Sequence, residues 1–463
     1  MTQIATVILA AGQGTRMRSK LPKVLHPLAG QAMAAYPLQV ANQVGSTRSV
    51  VVVGHGAEAV EEALRPFGAD FVLQRQQLGT GHALLAAREA LTGFNGTLLL
   101  LCGDVPLLRE ETVRALLEQH RRQQATVSVL TATLENPFGY GRIVRRGDEV
   151  VRIVEEKDAT AAERELTEIN TGIYAFEAPS VFELLAHVDR DNAQGEYYLT
   201  DSVAAARAAG LRVCACLIED PREAMGINDR VQLAEAEAVL RRRINQSLMR
   251  SGVTIIDPET TYIDATVEIG TDTVIQPGSC LRGGCIIGRD CSVGPHAVIT
   301  DSRLADRVNI KAGCVVSEAR IGNDTDVGPM AHLRPGTVLA GENKIGNFVE
   351  TKKAEVGLGS KASHLTYLGD CELGKGVNIG CGTITCNYDG VNKHRTVIED
   401  DVFVGSDTQF VAPVTIGRNS LIGAGSTITK DVPADALAIS RAEQKNIAGW
   451  SARKRKKRQK GEG

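Results

Sequence analysis

Residues 401–428 read DVFVGSDTQFVAPVTIGRNSLIGAGSTI, and this stretch decides the fold of the C-terminal half. Large apolar residues recur at every sixth position, namely Val404, Phe410, Ile416, Ile422 and Ile428. A helix would repeat its apolar positions every three or four residues, and a half-buried strand every two. A six-residue spacing with glycine after the aliphatic residue predicts a parallel β-helix whose apolar side chains stack inside.

The same period extends toward the N-terminus, through Ile263, Ile269, Ile275, Leu281, Ile287, Val293 and Ile299. Three hexads make one coil, so residues 257–430 predict roughly ten coils at ~4.8 Å per layer. The frame breaks between Thr385 and Ile398, where residues 386–393, CNYDGVNK, form an inserted loop. Loops on a rigid scaffold commonly carry function.

Polar residues near this loop do not fit the interior positions: Arg334, Lys352, His364, Tyr367 and Asn378. Basic side chains suit a sugar phosphate, and a histidine suits proton removal from an attacking amine. A single histidine in a coil is more often a surface or turn residue. Its position beside the loop and the basic residues favours a role in catalysis.

The N-terminal half alternates strands and helices. Apolar runs at Thr2–Leu9, Ser49–Gly54 and Thr97–Cys102 are typical of buried parallel strands, and Met33–Val44 and His82–Leu91 are typical of helices. This order predicts a mostly parallel, doubly wound, Rossmann-like α/β sheet with its ligand site at the carboxyl ends of the strands.

A glycine-rich loop follows the first predicted strand. Gly12 and Gly14 allow backbone N–H groups to approach phosphate oxygens, and Arg16 and Lys23 supply positive charge. A plain strand-to-helix turn would explain the two glycines equally well. Asp104 ends another apolar strand, where a carboxylate suits magnesium together with substrate phosphates. The alternative for Asp104 is the N-cap of a helix over Leu107–Leu117.

Residues 229–250 predict one helix, and Gly252 fits its C-cap. We therefore expect four segments: a nucleotide-handling domain over residues 1–228, a linker helix over 229–252, a β-helix domain over 253–450 and a basic, disordered tail over 451–463. Residues 453–463 contain seven Lys or Arg and one Glu, so the rest of this chain of net charge −3 carries −9. The tail lacks interleaved aromatics and amphipathic spacing, so we expect no nucleic-acid or membrane partner.

The whole chain of 463 residues has the composition of an ordinary soluble globular protein, apart from a high glycine count of 47 and a low aromatic content of 4%. Its apolar runs are too short to span a bilayer, and the N-terminus lacks the pattern of a secretory signal. Ten cysteines at irregular spacing fit free thiols in a reducing compartment. We expect a cytoplasmic protein.

Several motifs together carry a specific resemblance. In the N-terminal half they are LAAGQGTRM (9–17), LPKVL (21–25), QLGTGHA (77–83), GYGRI (139–143), EINTG (168–172) and GEYYLTD (195–201). In the C-terminal half they are HLRPG (332–336), SHLTYLGD (363–370) and TITCNYDG (383–390). Over residues 1–450 the chain resembles the bifunctional N-acetylglucosamine-1-phosphate uridyltransferases and glucosamine-1-phosphate acetyltransferases.

The resemblance implies a left-handed β-helix and two reactions. The C-terminal domain would move an acetyl group from acetyl-CoA to glucosamine-1-phosphate. The N-terminal domain would then move UMP from UTP to N-acetylglucosamine-1-phosphate, giving UDP-N-acetylglucosamine and pyrophosphate. This product would serve the synthesis of peptidoglycan, lipopolysaccharide and other cell-wall precursors.

The resemblance also implies residue roles in the N-terminal half. UTP would be bound by Leu9, Ala10, Ala11, Gly12, Gln74, Gly79 and Thr80, with Arg16 and Lys23 on the triphosphate. Magnesium would be held by Asp104 and Asn228. The sugar pocket would be lined by Gly141, Glu155, Asn170, Tyr198 and Thr200. Cys102 departs from the family, which would have an aromatic residue there, and we expect looser local packing around it without loss of the phosphate or metal contacts.

In the C-terminal half the resemblance implies His364 as the general base. Glucosamine-1-phosphate would be held by Arg334, Lys352, Tyr367, Asn378 and Lys393. Acetyl-CoA would be bound by Cys381, Asn387, Tyr388, Ser406, Ala424 and Arg441, and the family implies homotrimers with acetyl-CoA between neighbouring β-helices.

Two other hypotheses compete with this one. The β-helix could be a regulatory or oligomerisation module behind a single nucleotidyltransferase, which the cluster of His364, Asn387, Tyr388 and Lys393 argues against. Alternatively, the chain could be a non-catalytic assembly protein whose basic tail binds nucleic acid with a steep salt dependence.

Overall fold

The computed structural model describes residues 3–459 and divides into two compact units between Ile244 and Asn245. The helices are α1 (Ala35–Gln43), α2 (Ala57–Leu64), α3 (Thr80–Ala86), α4 (Glu110–Arg122), α5 (Ala161–Arg164), α6 (Ser180–Leu185), α7 (Asp201–Ala208), α8 (Arg230–Arg250) and α9 (Trp450–Gln459). The strands of the first unit are β1 (Ile4–Ala10), β2 (Pro27–Leu28), β3 (Gln31–Ala32), β4 (Arg48–Val53), β5 (Asp70–Leu73), β6 (Thr97–Cys102), β7 (Val127–Thr133), β8 (Arg142–Arg146), β9 (Glu149–Val154), β10 (Glu168–Glu177) and β11 (Val213–Leu217).

The main sheet of the first unit has the strand order β11-β7-β10-β6-β1-β4-β5. Strand β1 pairs in parallel with β4 and β6, and β4–β5 and β11–β7 are also parallel. Strand β10 is antiparallel to both β6 and β7. The mostly parallel sheet predicted from the sequence is therefore confirmed, with β10 as the reversed strand. The chain reaches β10 through the β8–β9 hairpin and the four-residue α5. A parallel connection needs a crossover of a dozen or more residues, usually a helix, and α5 is too short to provide it, so β10 runs antiparallel to its neighbours.

Apolar side chains cover both faces of this sheet. Ile8 packs on one face with residues of α1, α2 and α4, and Val7 packs on the other with residues of α3, α6 and α7. Successive side chains of a strand point to opposite faces, so the unbroken apolar run of β1 is buried on both sides. The three-layer arrangement leaves the carboxyl ends of β1 and β6 at one edge, where the polar loops follow.

The second unit is one continuous stack of parallel strands. Its strands are β12 (Thr254–Ile255), β13 (Tyr262–Ile263), β14 (Glu268–Ile269), β15 (Val274–Ile275), β16 (Cys280–Arg282), β17 (Ile286–Ile287), β18 (Ser292–Val293), β19 (Val298–Thr300), β20 (Arg303–Leu304), β21 (Asn309–Ile310), β22 (Val315–Ser317), β23 (Arg320–Ile321), β24 (Asp326–Val327), β25 (His332–Leu333), β26 (Val338–Leu339), β27 (Lys344–Val356), β28 (Lys361–Leu373), β29 (Asn378–Ile379), β30 (Ile384–Cys386), β31 (Thr396–Ile398), β32 (Phe403–Val404), β33 (Gln409–Val411), β34 (Val414–Ile416), β35 (Leu421–Ile422), β36 (Thr427–Ile428) and β37 (Leu437–Ala438). Along most of the stack each strand pairs with the third strand after it, which is the pairing of a three-sided β-helix.

The six-residue period becomes the interior of this β-helix. Ile275 pairs with Val293, and both side chains are fully buried. The long strands β27 and β28 each run through a whole coil, so residues 17 positions apart, such as Asn347 and His364, lie side by side. The interruption predicted between Thr385 and Ile398 is the loop between β30 and β31. Stacked coils thus give each outward residue a fixed neighbour in the next coil.

Helix α8 covers most of the predicted segment. The Asp229 carboxylate accepts from the N–H groups of Val231 and Gln232 at 2.9 Å each, which caps its first turn. Gly252 has φ +100°, the left-handed conformation expected just after a helix end. Along the helix, Ala236 and Leu240 pack in a small core with residues of the first unit.

The C-terminal tail was expected to be disordered, but part of it is helical. Residues 450–459 form helix α9, whose side chains are all exposed. Arginine, lysine and glutamine are good helix formers, and this stretch contains no glycine or proline to end a helix. Residues 460–463 of the predicted tail lie outside the described residues. Within residues 3–459, no helix is both long and apolar enough to cross a membrane.

Candidate functional site

The loop after β1 brings a glycine against a lysine. Gly14 has φ +62°, and a Cβ on it would lie 2.5 Å from the Cβ of Lys23 and 3.4 Å from its Cδ. Only glycine leaves room for the lysine stem and accepts this backbone conformation without strain. The chain then turns through Thr15–Met17. Gly14 therefore has a steric role, because the absence of a Cβ leaves space for the stem of Lys23 beside the loop.

Lys23 joins the two residues predicted to hold magnesium. Its Nζ lies 2.5 Å from Oδ2 of Asp104 and 3.1 Å from Oδ1 of Asn228. Asp104 follows β6, and Asn228 precedes α8. The alternative role of Asp104 as a helix N-cap is wrong, because α4 begins at Glu110 with Arg109 at the N-cap position.

The oxygens of Asp104 and Asn228 fit a magnesium ion. One carboxylate oxygen and one amide oxygen converge on the same cationic nitrogen, so both already face a positive charge. Magnesium prefers oxygen ligands and is commonly held by one or two protein groups together with substrate phosphates. Among residues 3–459, no group of three or more His, Cys, Asp or Glu side chains could hold a metal without such help.

The residues expected near the uracil form one wall. Nε2 of Gln74 donates to the carbonyl of Gly79 at 3.3 Å and lies 3.0 Å from Nδ1 of His82. Nε2 of Gln77 donates to the carbonyl of Ala11 at 2.6 Å, which ties this loop to the end of β1. Sequence reasoning did not select Gln77 as a site residue, although it begins the QLGTGHA motif.

The loop at 79–81 is also fixed from a distant segment. The N–H of Gly81 donates to the carbonyl of Tyr197 at 2.9 Å, and the N–H of Leu199 donates to Oγ1 of Thr80 at 3.3 Å. Gly79 has φ +107°, and a Cβ there would lie 2.7 Å from the carbonyl oxygen of Tyr197. The GEYYLTD segment therefore holds the predicted nucleotide loop in place.

Four of the five residues predicted for the sugar pocket lie together. A Cβ on Gly141 would lie 3.4 Å from Oε2 of Glu155 and 3.6 Å from Cβ of Asn170. Oγ1 of Thr200 donates to Oε1 of Glu155 at 3.1 Å. Burial raises the pKa of Glu155, with repulsion from Asp201 adding and the Thr200 hydroxyl opposing. Such a shielded acceptor beside a glycine and an amide suits the hydroxyl and amide groups of a sugar.

Arg16 and Glu155 line the same cavity, of about 950 Å³. The fifth predicted sugar residue, Tyr198, places its hydroxyl 3.1 Å from Oδ2 of Asp158, and burial raises its pKa to about 12. A second cavity, of about 460 Å³, lies at Gly14 and the neighbouring residues of the glycine loop. The glycine loop therefore borders two cavities, and Arg16 lines the one that is also lined by Glu155, one of the five predicted sugar residues.

Cys102 sits between the phosphate and sugar regions. Its thiol contacts the carbonyl of Gly172 at 3.4 Å, and burial, with repulsion from Asp104, raises its pKa to about 12. The thiol is therefore neutral and small, and it packs against the irregular part of β10 between Asn170 and Tyr174. The thiol makes no hydrogen bond to Lys23 or Asp104, and the expectation that the phosphate and metal contacts do not depend on Cys102 stays a prediction.

In the second unit, His364 lies on an outward turn of β28. Its Nδ1 is 3.2 Å from Oδ1 of Asn347, the residue paired with it in the preceding coil. The histidine is exposed. The coil repeat of 17 residues is the signal that would have found Asn347 from the sequence.

The basic residues meet on another edge, which we call the lysine edge: Arg334, Lys352, Asp370 and Asn387. The N–H of Arg334 donates to the carbonyl of Thr351 at 2.9 Å, so the arginine precedes Lys352 by one coil. Oδ2 of Asp370 lies 3.8 Å from Nζ of Lys352 and accepts from Nδ2 of Asn387 at 2.5 Å.

The lysine edge is rich in positive charge. Contact with Lys393 lowers the pKa of Lys352, and burial and the charge of Arg334 act in the same direction. Nη1 of Arg334 lies 2.8 Å from Oε1 of Glu350, the strand partner of Tyr367. A dianionic phosphate would relieve the repulsion between Lys352 and Lys393, because the carboxylates of Asp370 and Glu350 do not balance the three positive charges of this edge. Sequence reasoning missed Asp370 and Glu350, which the 16- to 18-residue spacing of neighbouring coils would have indicated.

Three of the six residues predicted to bind acetyl-CoA line up with His364 on a different edge, which we call the histidine edge: His364, Cys381, Ser406 and Ala424. Hydrogen bonds between consecutive coils define it: Gly382 N–H to Leu365 O at 2.8 Å, Asp407 N–H to Cys381 O at 2.7 Å and Gly425 N–H to Ser406 O at 2.8 Å. Nη1 of Arg441 donates to the carbonyl of Ala424 at 2.5 Å, which adds Arg441 to the line.

The two edges are separated along β28. His364 and Asp370 lie six residues apart on this strand, at most about 20 Å along an extended chain. Tyr367 lies between them, and Asn378 lies beside Lys361 on the face that precedes the histidine edge. The structure therefore gathers Arg334, Lys352, Asn387 and Lys393 at one place, and His364 with Cys381, Ser406, Ala424 and Arg441 at another. The expected cluster of His364 with Asn387, Tyr388 and Lys393 is wrong within a single chain, because Asn387 bonds to Asp370 and Tyr388 bridges Lys393 on the lysine edge.

Comparison with known proteins agrees with both units. Residues 6–169 match the MobA-like NTP transferase domain, residues 256–365 match the GMPPB C-terminal domain, and residues 395–430 match the bacterial transferase hexapeptide with six repeats. The chain is 66% identical to the bifunctional protein GlmU of Syntrophotalea carbinolica, over 97% of each chain. It is 56% identical to the bifunctional protein GlmU of Geobacter sulfurreducens, over 98% of this chain and 100% of the relative. With this identity over nearly its full length, and with a nucleotide loop and a hexapeptide β-helix in the matching halves, the chain belongs to the family of the bifunctional protein GlmU.

Proposed function

We propose that the chain makes UDP-N-acetylglucosamine through two active sites. The second unit transfers acetyl from acetyl-CoA to glucosamine-1-phosphate, and the first transfers UMP from UTP to the resulting N-acetylglucosamine-1-phosphate. Residues 1–228 form the uridyltransferase domain, 229–252 the linker helix and 253–450 the acetyltransferase domain. The observation that carries the first activity is the convergence of Lys23, Asp104 and Asn228 beside the glycine loop.

In uridyl transfer a phosphate oxygen of the sugar phosphate attacks the α-phosphorus of UTP. The new P–O bond forms as the bond to the β-phosphate breaks, and pyrophosphate leaves. Arg16 and Lys23 bind the triphosphate and neutralise its charge, and alignment supplies much of the rate, since no protein nucleophile is needed. Asp104 and Asn228 hold magnesium, which when bound adds positive charge at the phosphates.

Base and sugar are held by the two walls of this site. Leu9, Ala10, Ala11 and Gly12 form the strand end that meets UTP, and Gln74, Gly79 and Thr80 form the wall for uracil. The half-buried Glu155 accepts sugar hydroxyl hydrogens, and Gly141 leaves the space that a Cβ would fill beside it. Asn170, Tyr198 and Thr200 complete the pocket for the acetamido sugar.

The substitution Asp104→Asn tests the metal assignment. It removes the negative charge that pairs with the cation but keeps nearly the same shape. We expect uridyl transfer to fall by about a hundredfold or more, as when one transition-state contact is lost. Acetyl transfer by the same preparation should stay unchanged and thereby serves as the control for folding. Full uridyl transfer by this variant would contradict the assignment.

In acetyl transfer His364 acts as the general base. With Nδ1–H donating to Oδ1 of Asn347, Nε2 is left to accept a proton from the amine of glucosamine-1-phosphate as the amine attacks the thioester carbonyl. The C–N bond forms, the C–S bond breaks, and coenzyme A leaves. The Asn347 contact thus fixes the ring and its tautomer.

Substrate binding in this domain uses both edges. Arg334, Lys352 and Lys393 bind the phosphate of glucosamine-1-phosphate, and Tyr367 and Asn378 bind its sugar. The acetyl-CoA residues are Cys381, Asn387, Tyr388, Ser406, Ala424 and Arg441. The substitution His364→Ala should remove acetyl transfer and leave uridyl transfer intact. Unchanged acetyl transfer would favour a regulatory β-helix or another base.

We further propose a homotrimer in which the two edges come from different copies. Within one chain His364 and the lysine edge lie at separate places along β28. The site would be complete where the histidine edge of one copy faces the lysine edge of the next. Co-expression of His364→Ala with Lys352→Ala tests this arrangement. Mixed trimers should regain part of the acetyl transfer that each variant lacks alone, whereas no recovery, or a monomer by light scattering, would contradict it.

The cytoplasm supplies both UTP and acetyl-CoA, and we place the enzyme there. All ten cysteines are free thiols, which fits a reducing compartment. The partners of the chain are therefore small molecules and further copies of itself, and neither a membrane nor a nucleic acid has a role in the proposed reactions.

A further inference from the structure

Lys23 occupies an unusual position for a residue that binds a triphosphate. Its ammonium contacts the carboxylate of Asp104 at 2.5 Å and the amide oxygen of Asn228 at 3.1 Å. These are the two oxygens that the proposed function assigns to the metal. The side chain of Lys23 is only 12% exposed and that of Asp104 is 26% exposed, so water screens the pair weakly.

We propose that Lys23 is a stand-in cation that keeps the divalent metal from binding until the nucleotide arrives. This inference rests on the proposed function. A divalent ion and an ammonium group cannot both sit on the same two oxygens, because like charges at such a distance repel strongly. Before the metal binds, Lys23 must move to another anion, and the triphosphate is the anion that the reaction provides.

The surroundings of Lys23 allow this movement in the side chain alone. The backbone at Lys23 is held by hydrogen bonds from Leu25 N–H to Pro22 O at 3.0 Å and from Ala34 N–H to Val24 O at 3.0 Å. The lysine stem already lies against Gly14, so the glycine loop is within reach of a side chain whose torsions can change between staggered positions. A flexible four-carbon stem suits a group that changes partners.

The consequence is a coupling between nucleotide and metal. UTP draws Lys23 away and frees Asp104 and Asn228, so each of the two ligands raises the affinity of the other. The metal alone is weakly bound. An ordinary structural ion pair would have the opposite effect, because its loss would loosen Asp104 and weaken metal binding. The two roles of Lys23 therefore differ in the sign of one measurable quantity.

The test measures Mn²⁺ binding to the full chain without nucleotide, from the electron paramagnetic resonance signal of the free ion. Wild type is compared with Lys23→Met and Lys23→Gln. We expect both variants to bind Mn²⁺ about tenfold or more tightly than wild type, because the competing cation is gone. Lys20→Met is the matched control, since it removes an exposed positive charge from the same loop without freeing a metal ligand.

Equal or weaker Mn²⁺ binding by both Lys23 variants would overturn the inference. So would a gain that persists in Lys23→Met combined with Asp104→Asn, because the ion would then be bound elsewhere. Calorimetry confirms that each variant is folded, and if Lys23→Met is not, Lys23→Gln carries the comparison. Failure of the proposed function is seen separately, as full uridyl transfer by Asp104→Asn alone.

Discussion

Single residues in this chain have properties that the fold imposes on them. His120 lies in α4 with its Nδ1 2.9 Å from Oγ of Ser128, and only 4% of it is exposed. Burial, with repulsion from Arg121, lowers its pKa to about 4. The histidine is therefore neutral in the folded enzyme at any pH near neutrality, and its role in the first unit is structural.

The first prediction concerns acid stability. Between pH 6.5 and about 4 the unfolded chain binds a proton at His120 that the folded chain does not, so stability falls as the pH falls through this window. Within this window the free energy of unfolding falls by at most about 1.4 kcal/mol for each pH unit. His120→Asn keeps an acceptor near the Nδ1 position and removes the titration. Calorimetry at pH 7 and pH 5 should show that the variant loses less stability on acidification than the wild type does. An equal loss of stability would contradict the prediction.

A second prediction concerns Gly14. The substitution Gly14→Ala adds a left-handed strain of about 1–2 kcal/mol and places a methyl group 2.5 Å from the Cβ of Lys23. Uridyl transfer should fall by about a hundredfold, since Lys23 is displaced. Gly45→Ala carries the same backbone strain, at φ +82°, with nothing within 4 Å of the added carbon, and should keep uridyl transfer. Similar losses in both variants would show that strain alone is responsible.

At the scale of elements, the inserted loop between β30 and β31 holds itself in shape. Oδ1 of Asp389 accepts from the N–H groups of Val391 and Asn392 at 2.8 and 2.6 Å, and its Oδ2 lies 2.7 Å from Nε2 of His394. These hydrogen bonds lower the pKa of Asp389 to about 2. The loop presents Tyr388 and Lys393 as a bridged pair, so its shape fixes where both side chains lie.

The third prediction is that Asp389→Ala loosens this loop. Acetyl transfer should fall by about tenfold or more, mainly through the KM for glucosamine-1-phosphate, because Lys393 loses its fixed position. Uridyl transfer in the same preparation should be unchanged. His394→Ala, which removes one of the three contacts, should have a smaller effect. An acetyltransferase of normal KM in Asp389→Ala would show that the loop is held by other contacts.

On the scale of the whole molecule, the chain has two compact units with different kinds of packing. The first closes a sheet between two helical layers, so its contacts join distant parts of the chain. In the second, each coil contacts its neighbours, as in other solenoids. The two proposed activities lie in separate units, which makes each a control for the other.

The fourth prediction is that ligands stabilise the units one at a time. In scanning calorimetry, UTP at about 100 times its Kd, with magnesium present, should stabilise the folded first unit against unfolding by about 2.7 kcal/mol. Acetyl-CoA should instead raise the unfolding temperature of the second unit. A shift of both transitions by one ligand would show that the units unfold as one.

Much of the architecture followed from local patterns. The six-residue period predicted the β-helix, and apolar runs followed by glycines predicted the strands β1, β4 and β6. The loop at 386–393 was visible as a break in the period. The tail was the exception, because its charge pointed to disorder whereas its residues also favour a helix, and the helix α9 formed.

The sequence by itself determined the periodic elements and the types of residue available to the two sites, because backbone preference and burial period are encoded within a few neighbouring positions. Only the tertiary structure decided which of these residues meet. Lys23 contacts Asp104 and Asn228 across 81 and 205 residues, and His364 contacts Asn347 across one coil. Such contacts depend on strand order and coil register over the whole chain, and these are properties of the packed core rather than of any segment.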